Sequence, residues 1–75
     1  MPFIHIYAYS GRDPEVKKNA AIAIVKAASE AMGAPESAFT VIYDDIERES
    51  WEKDVQQPVI EPRRDKMLID RGVPV

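Results

Sequence analysis

The 75-residue chain has no cysteine and a single histidine, His5. The missing cysteine removes disulfides, thiolate metal sites and a Cys nucleophile together, and one histidine cannot build a His-rich metal site. Positive charge is not in excess either. Ten Lys and Arg face thirteen Asp and Glu, a net charge of −3, the wrong sign for the electrostatic footprint of a general nucleic-acid binder. No apolar run approaches the roughly eighteen residues that span a bilayer. The N-terminus also lacks the basic stretch and apolar core of an export signal. A chain this short buries only about 60% of the surface its unfolded form exposes, so without disulfides or a metal its core depends on partner chains. The expectation is one domain over residues 1–75, soluble and cytosolic, with no nucleic-acid or membrane partner, that assembles with copies of itself.

What is present is a strand, a helix and a strand. Phe3 to Tyr9 is rich in β-branched and aromatic residues, with Ile4, Ile6 and Ala8 on one face and Phe3, His5, Tyr7 and Tyr9 on the other. Ser10-Gly11-Arg12 breaks the alternation. Asp13-Pro14-Glu15 then starts a helix, with Asp13 as N-cap and Pro14 at the first position, where no N–H is needed. Helical spacing joins Val16, Ala20, Ala23, Ile24, Ala27, Ala28 and Ala31 into a mainly alanine stripe, and Gly33 is the expected left-handed residue at its end. A second strand is predicted over 38–43, with Phe39, Val41 and Tyr43 on one face and Thr40 and Ile42 on the other. A right-handed βαβ unit makes the two strands parallel. Such a sheet has an uncovered face and two open edges, so Phe3 and Tyr7 are expected to meet another subunit. Pro58 and Pro62 predict an extended or turned stretch between Trp51 and Arg63. A short helix is expected from Pro62, with Met67, Leu68 and Ile69 as its apolar side and Gly72 as its stop.

Several residues are candidates for chemistry, each with two readings. Removal of Met1 before a small residue leaves Pro2 as a secondary amine, more basic than an ordinary α-amino group at roughly 7.7–8.0. Desolvation or a nearby cation such as Arg12 lowers such a pKa toward neutrality; the alternative is that proline here is incidental. Arg12, at the turn into the helix, is either a carboxylate clamp or an exposed loop arginine. Trp51 lies in an acidic segment and is either a core residue or a wall against substrate. The acidic run Asp44, Asp45, Glu47 and Glu49 lacks calcium-loop spacing and reads as solvated surface.

Taken together, Met-Pro-Phe-Ile-His-Ile at the start, Gly11-Arg12 before an acidic helix N-terminus, Gly33-Ala34-Pro35 before the second strand, and Trp51 eight residues after it resemble the 4-oxalocrotonate tautomerase family. The tail, with Glu49-Ser50-Trp51, Ile60-Glu61-Pro62 and Met67-Leu68-Ile69 before Gly72, looks like the longer phenylpyruvate-tautomerase (PptA-like) branch. The resemblance implies an α/β subunit of two parallel strands and one long helix. That subunit forms dimers or hexamers and interconverts enol and keto forms of 2-oxo acids without a cofactor. It implies Pro2 as the general base, Arg12 on the substrate carboxylate and Trp51 as the pocket wall. Thr40 stands where the family's type enzyme has a second arginine, which favours a monocarboxylate substrate such as phenylenolpyruvate. Two other readings remain open: a non-catalytic oligomeric binding module on the same fold, and a related hydratase or dehalogenase.

Overall fold

The computed structural model describes residues 1–75. The chain forms two compact units, Met1–Asp45 and Ile46–Val75.

The first unit is the expected strand, helix and strand. Strand β1 (Phe3–Tyr9) and strand β2 (Thr40–Ile46) form a two-stranded parallel sheet, joined by helix α1 (Pro14–Met32). Both ends of α1 are where local chemistry dictates. Asp13 is the N-cap residue and Pro14 opens the first turn, although the Asp13 side chain makes no capping bond. At the other end Gly33 adopts a left-handed conformation (φ 70°, ψ 28°), which a Cβ would penalise. The N–H groups of Gly33 and Ala34 both return to the Ser29 carbonyl, at 3.0 and 3.3 Å, the second being the long closing bond of a Schellman turn. The Ser29 hydroxyl reaches forward to the Ala34 carbonyl at 2.5 Å.

Two features of this unit differ from expectation. Residues Glu36–Ala38 wind into a 3₁₀ turn, so β2 begins at Thr40 and runs three residues further than predicted, to Ile46. The alternation holds: Phe39, Val41 and Tyr43 are half-buried while Thr40, Ile42 and Asp44 are exposed. The covered face of α1 is carried by Lys17, Ala20, Ala21, Val25, Ala28 and Ser29, and of the predicted stripe only Ala20 and Ala28 lie on it. Val16, Ala23, Ile24, Ala27 and Ala31 are exposed. Alanine carries little apolar area, so it fixed the direction of the amphipathic face poorly; the aliphatic stem of Lys17 covers apolar surface instead. Lys17 Nζ meets Asp45 at 2.6 Å and lies 5.6 Å from the centre of the Tyr43 ring, which ties the first turns of α1 to β2.

The second unit overturns the prediction for its segment. Residues 48–66 are helical almost throughout: a 3₁₀ turn at Arg48–Ser50, a π-helix at Glu52–Ile60, and a second 3₁₀ segment at Glu61–Lys66. The second helix therefore starts well before Pro62. Pro58 lies inside the π-helix. In an α-helix its ring would collide with the carbonyl four residues back; the wider winding, with bonds between residues five apart, accommodates it. Pro62 sits in the first turn of the following segment, where its missing N–H costs nothing. Met67, Leu68 and Ile69 are not helical. Ile69–Asp70 and Val73–Pro74 are the short antiparallel strands β3 and β4, paired Ile69 to Pro74 and Asp70 to Val73. Between them Arg71 (φ 50°) and Gly72 (φ 82°) form a two-residue turn with both φ positive, so Gly72 closes a hairpin and not a helix.

Val55 is the one fully buried apolar side chain of the whole chain. In the first unit Phe3, Val16, Ile22, Met32 and Ile42 are all exposed.

Candidate active site

Pro2 stands immediately before β1, half-buried. Its carbonyl accepts a hydrogen bond from the Thr40 N–H at 3.2 Å, so the first residue of β2 pins the head of β1. Met1 is fully exposed, and while it is attached the Pro2 nitrogen is an amide with no basic lone pair. Thr40 is exposed beside this point. The structure thus brings Pro2 and Thr40 together.

Arg12 is elsewhere. Gly11 has φ 123°, a conformation that side chains rarely adopt, and it folds the chain so that Arg12 Nη1 donates to the Tyr9 carbonyl at 3.2 Å. Its guanidinium is therefore anchored at the far end of β1. At about 3.3 Å per residue, the strand separates Tyr9 from Pro2 by about 23 Å. Within one chain Arg12 and Pro2 cannot hold the same small molecule, and Arg12 cannot be the cation that lowers the pKa of its own chain's Pro2.

On the sheet face that carries Phe3, His5 Nε2 and Asp44 Oδ2 lie 2.6 Å apart, bridging β1 and β2. The imidazole stacks on Tyr7 (centroids 4.2 Å, 19° between planes) and tilts against Phe3 (5.9 Å). Asp44 and Asp45 are therefore paired, with His5 and Lys17, and are not simply solvated as the sequence suggested. The cue was available: in a parallel pair of strands His5 and Asp44 fall on one face, and Lys17 in the first turns of the crossover helix falls near the end of β2.

Trp51 belongs to the second unit. Its Nε1–H donates to Gln56 Oε1 at 3.4 Å, and Gln56 Nε2 donates to Glu61 Oε2 at 2.6 Å. Arg64 grips the same carboxylate with Nε at 2.7 Å and Nη2 at 2.9 Å. The hydrogen bonds from Arg64 and then Gln56 hold the Glu61 carboxyl well below the usual range, at about 2, and Glu61 in turn raises Arg64. Arg63 Nη1 rests on the Val59 carbonyl at 3.4 Å. Arg64 is thus paired with Glu61 and its charge is neutralised there.

The sequence profile described as "Tautomerase enzyme" matches residues 2–54, which include Pro2, Arg12, Thr40 and Trp51. Over 51 residues the chain is 39% identical to a 2-hydroxymuconate tautomerase of Comamonas testosteroni, covering 68% of this chain and 81% of that protein. The profile spans the whole βαβ unit and the start of the second unit. The chain belongs to the 4-oxalocrotonate tautomerase family and is a tautomerase, an isomerase that interconverts keto and enol forms.

Proposed function

We propose that the chain ketonises the enol of a 2-oxo monocarboxylate, with phenylenolpyruvate as the representative substrate, using the free amine of Pro2. The observation that carries this reading is Pro2 itself, held at the head of β1 by Thr40 and preceded by the exposed Met1. Once Met1 is removed, the secondary amine takes the enol hydroxyl proton as the C–O bond becomes a carbonyl, and the resulting ammonium returns a proton to the neighbouring carbon. One group serves as base and then acid, so the amine is regenerated each turnover and nothing else is consumed.

Arg12 binds the substrate carboxylate through its planar fork. Because β1 separates Arg12 from its own Pro2, this role calls for Arg12 of a neighbouring copy, and the site is complete only in a homo-oligomer. The exposed Phe3 and Ile42 support the same assembly. Bringing a guanidinium of another copy to the amine also disfavours the ammonium form and lowers the pKa of Pro2. Trp51 supplies an apolar wall that excludes water, which strengthens the carboxylate contact and disfavours the ammonium further.

Thr40 supports a substrate with one carboxylate, since a hydroxyl replaces a cation at that position, and the pairing of Arg64 with Glu61 supports it again. The second reading is a dicarboxylate, favoured by the likeness to the 2-hydroxymuconate tautomerase. The two separate by ultraviolet assay of phenylenolpyruvate and 2-hydroxymuconate side by side. A higher kcat/KM for phenylenolpyruvate is expected; a clear preference for the dicarboxylate refutes the monocarboxylate reading and makes Arg63 the first residue to substitute.

A further inference from the structure

The hydrogen-bond chain from Trp51 to Arg64 is not used by the reaction as described above, and its polarity is fixed at both ends. The indole N–H of Trp51 only donates, and an ionised Glu61 only accepts. Gln56 lies between them, offering its carbonyl oxygen to Trp51 and its NH₂ to Glu61. No other orientation of the amide satisfies both neighbours. Arg64, which only donates, then holds the carboxylate through two bonds.

The spacing of this chain depends on an unusual backbone. Residues 51, 56 and 61 are five apart. In an α-helix, at 3.6 residues per turn, side chains five apart point about 140° away from each other and do not meet. The π winding of Glu52–Ile60 brings residues five apart into line. A parallel pair confirms the register: Gln57 Nε2 donates to Glu52 Oε2 at 2.5 Å. Pro58 sits within the segment and resists its return to α-helical winding, because its ring would clash with the carbonyl of Asp54.

We propose that Gln56, Glu61 and Arg64 are positioning residues that hold the Trp51 indole in a single orientation, in a register that Pro58 keeps open, and thereby set substrate affinity without touching substrate. The inference rests on the reading of Trp51 as the apolar wall of the site. A tryptophan held only by packing samples several orientations. One tethered through its N–H presents a fixed ring face, so less ordering has to be done when substrate arrives.

The test uses the full chain, with the Trp51 indole N–H resonance as a readout that needs no substrate. Gln56→Leu removes both hydrogen bonds at similar volume. It is expected to shift that resonance and to raise KM by about threefold to tenfold, the worth of one hydrogen bond, with little change in kcat, on whichever of phenylenolpyruvate and 2-hydroxymuconate is turned over. In a Trp51→Phe background, which has no N–H to hold, Gln56→Leu is expected to leave KM unchanged. An unmoved indole resonance, or the same rise in KM without the indole, overturns the positioning role. If Trp51→Ala leaves the kinetics intact while Gln56→Leu still moves the resonance, it is the wall reading that fails, and the kinetic role of Gln56 with it. Should Gln56→Leu lose its circular dichroism signal, Arg64→Met cuts the same chain at its exposed end and is read in the same way. Pro58→Ala adds a third arm: it is expected to move the indole resonance by letting the five-residue spacing relax.

Discussion

Replacing Phe3 with aspartate tests whether the open sheet face is an interface. Phe3 is 59% exposed in the chain, so its substitution does little to packing within the βαβ unit. An aromatic side chain presents roughly 200 Å², which leaves about 120 Å² for a partner to cover. At about 25 cal/mol per Å² that burial contributes about 3 kcal/mol per copy. In a two-fold interface the same residue enters twice, so the loss is about 6 kcal/mol, or roughly four orders of magnitude in the dissociation constant. The buried carboxylate of the variant adds to that. Sedimentation velocity over a nanomolar to micromolar dilution series is the assay. The native chain is expected to sediment as an oligomer at micromolar concentration, and Phe3→Asp as the 8.5 kDa chain or as unfolded material. A Phe3→Asp protein that assembles like the native one refutes the assignment of this face. A native chain that is a stable folded monomer refutes assembly altogether, and with it the supply of Arg12 from a neighbour.

Arg12→Ala removes the proposed charge-assisted contact to the substrate carboxylate and is expected to raise KM by roughly tenfold to a hundredfold, with a smaller loss in kcat, in steady-state ketonisation assays. Unchanged kinetics return Arg12 to an ordinary loop residue. The pairing of Glu61 predicts an acid limit for the Trp51 tether. Its folded pKa, about 2, is below the ordinary carboxylate value of 4.5, so the stabilisation is fully present above pH 4.5 and is lost as pH falls through about 2. The indole resonance of the native chain is therefore expected to stay constant from pH 7 to 4.5, and in Glu61→Gln to start from a different position.

The βαβ unit was legible because each of its signals has a local physical cause. Asp13-Pro14 starts a helix, Gly33 ends it, and the alternation of apolar residues from Phe39 to Asp44 marks a strand wherever its ends fall. The second unit was not legible, for equally specific reasons. Pro58 argues against a helix only if the helix is α; a π winding admits it, and the five-residue spacing of Trp51, Gln56 and Glu61 is the sequence signal of that winding. Gly72 serves a helix end and a hairpin turn equally well, and only the positive φ of Arg71 beside it decides between them. For the proposed site, the sequence offers candidate residues and their order along the chain but not the distances between them. That Pro2 and Arg12 sit at opposite ends of one strand follows from counting seven residues of β1, and for that reason the site we propose takes its arginine from a second copy.

The proposed mechanism stands or falls with the amine of Pro2 as the base. In the site we propose, desolvation and the guanidinium of a neighbouring copy disfavour the ammonium form of that amine, and general-base catalysis typically contributes about 10²–10⁴-fold. The most direct measurement compares two preparations, one with Met1 removed and one with Met1 retained, each verified by intact mass and by circular dichroism. Both are assayed for enol-to-keto conversion of phenylenolpyruvate and 2-hydroxymuconate from pH 5 to 9. The processed chain is expected to be active with a rate that rises through a single pKa near neutrality, and the Met1-retaining chain to be slower by at least the general-base factor at every pH. Equal rates in the two preparations contradict the claim, because an amide nitrogen cannot take the proton.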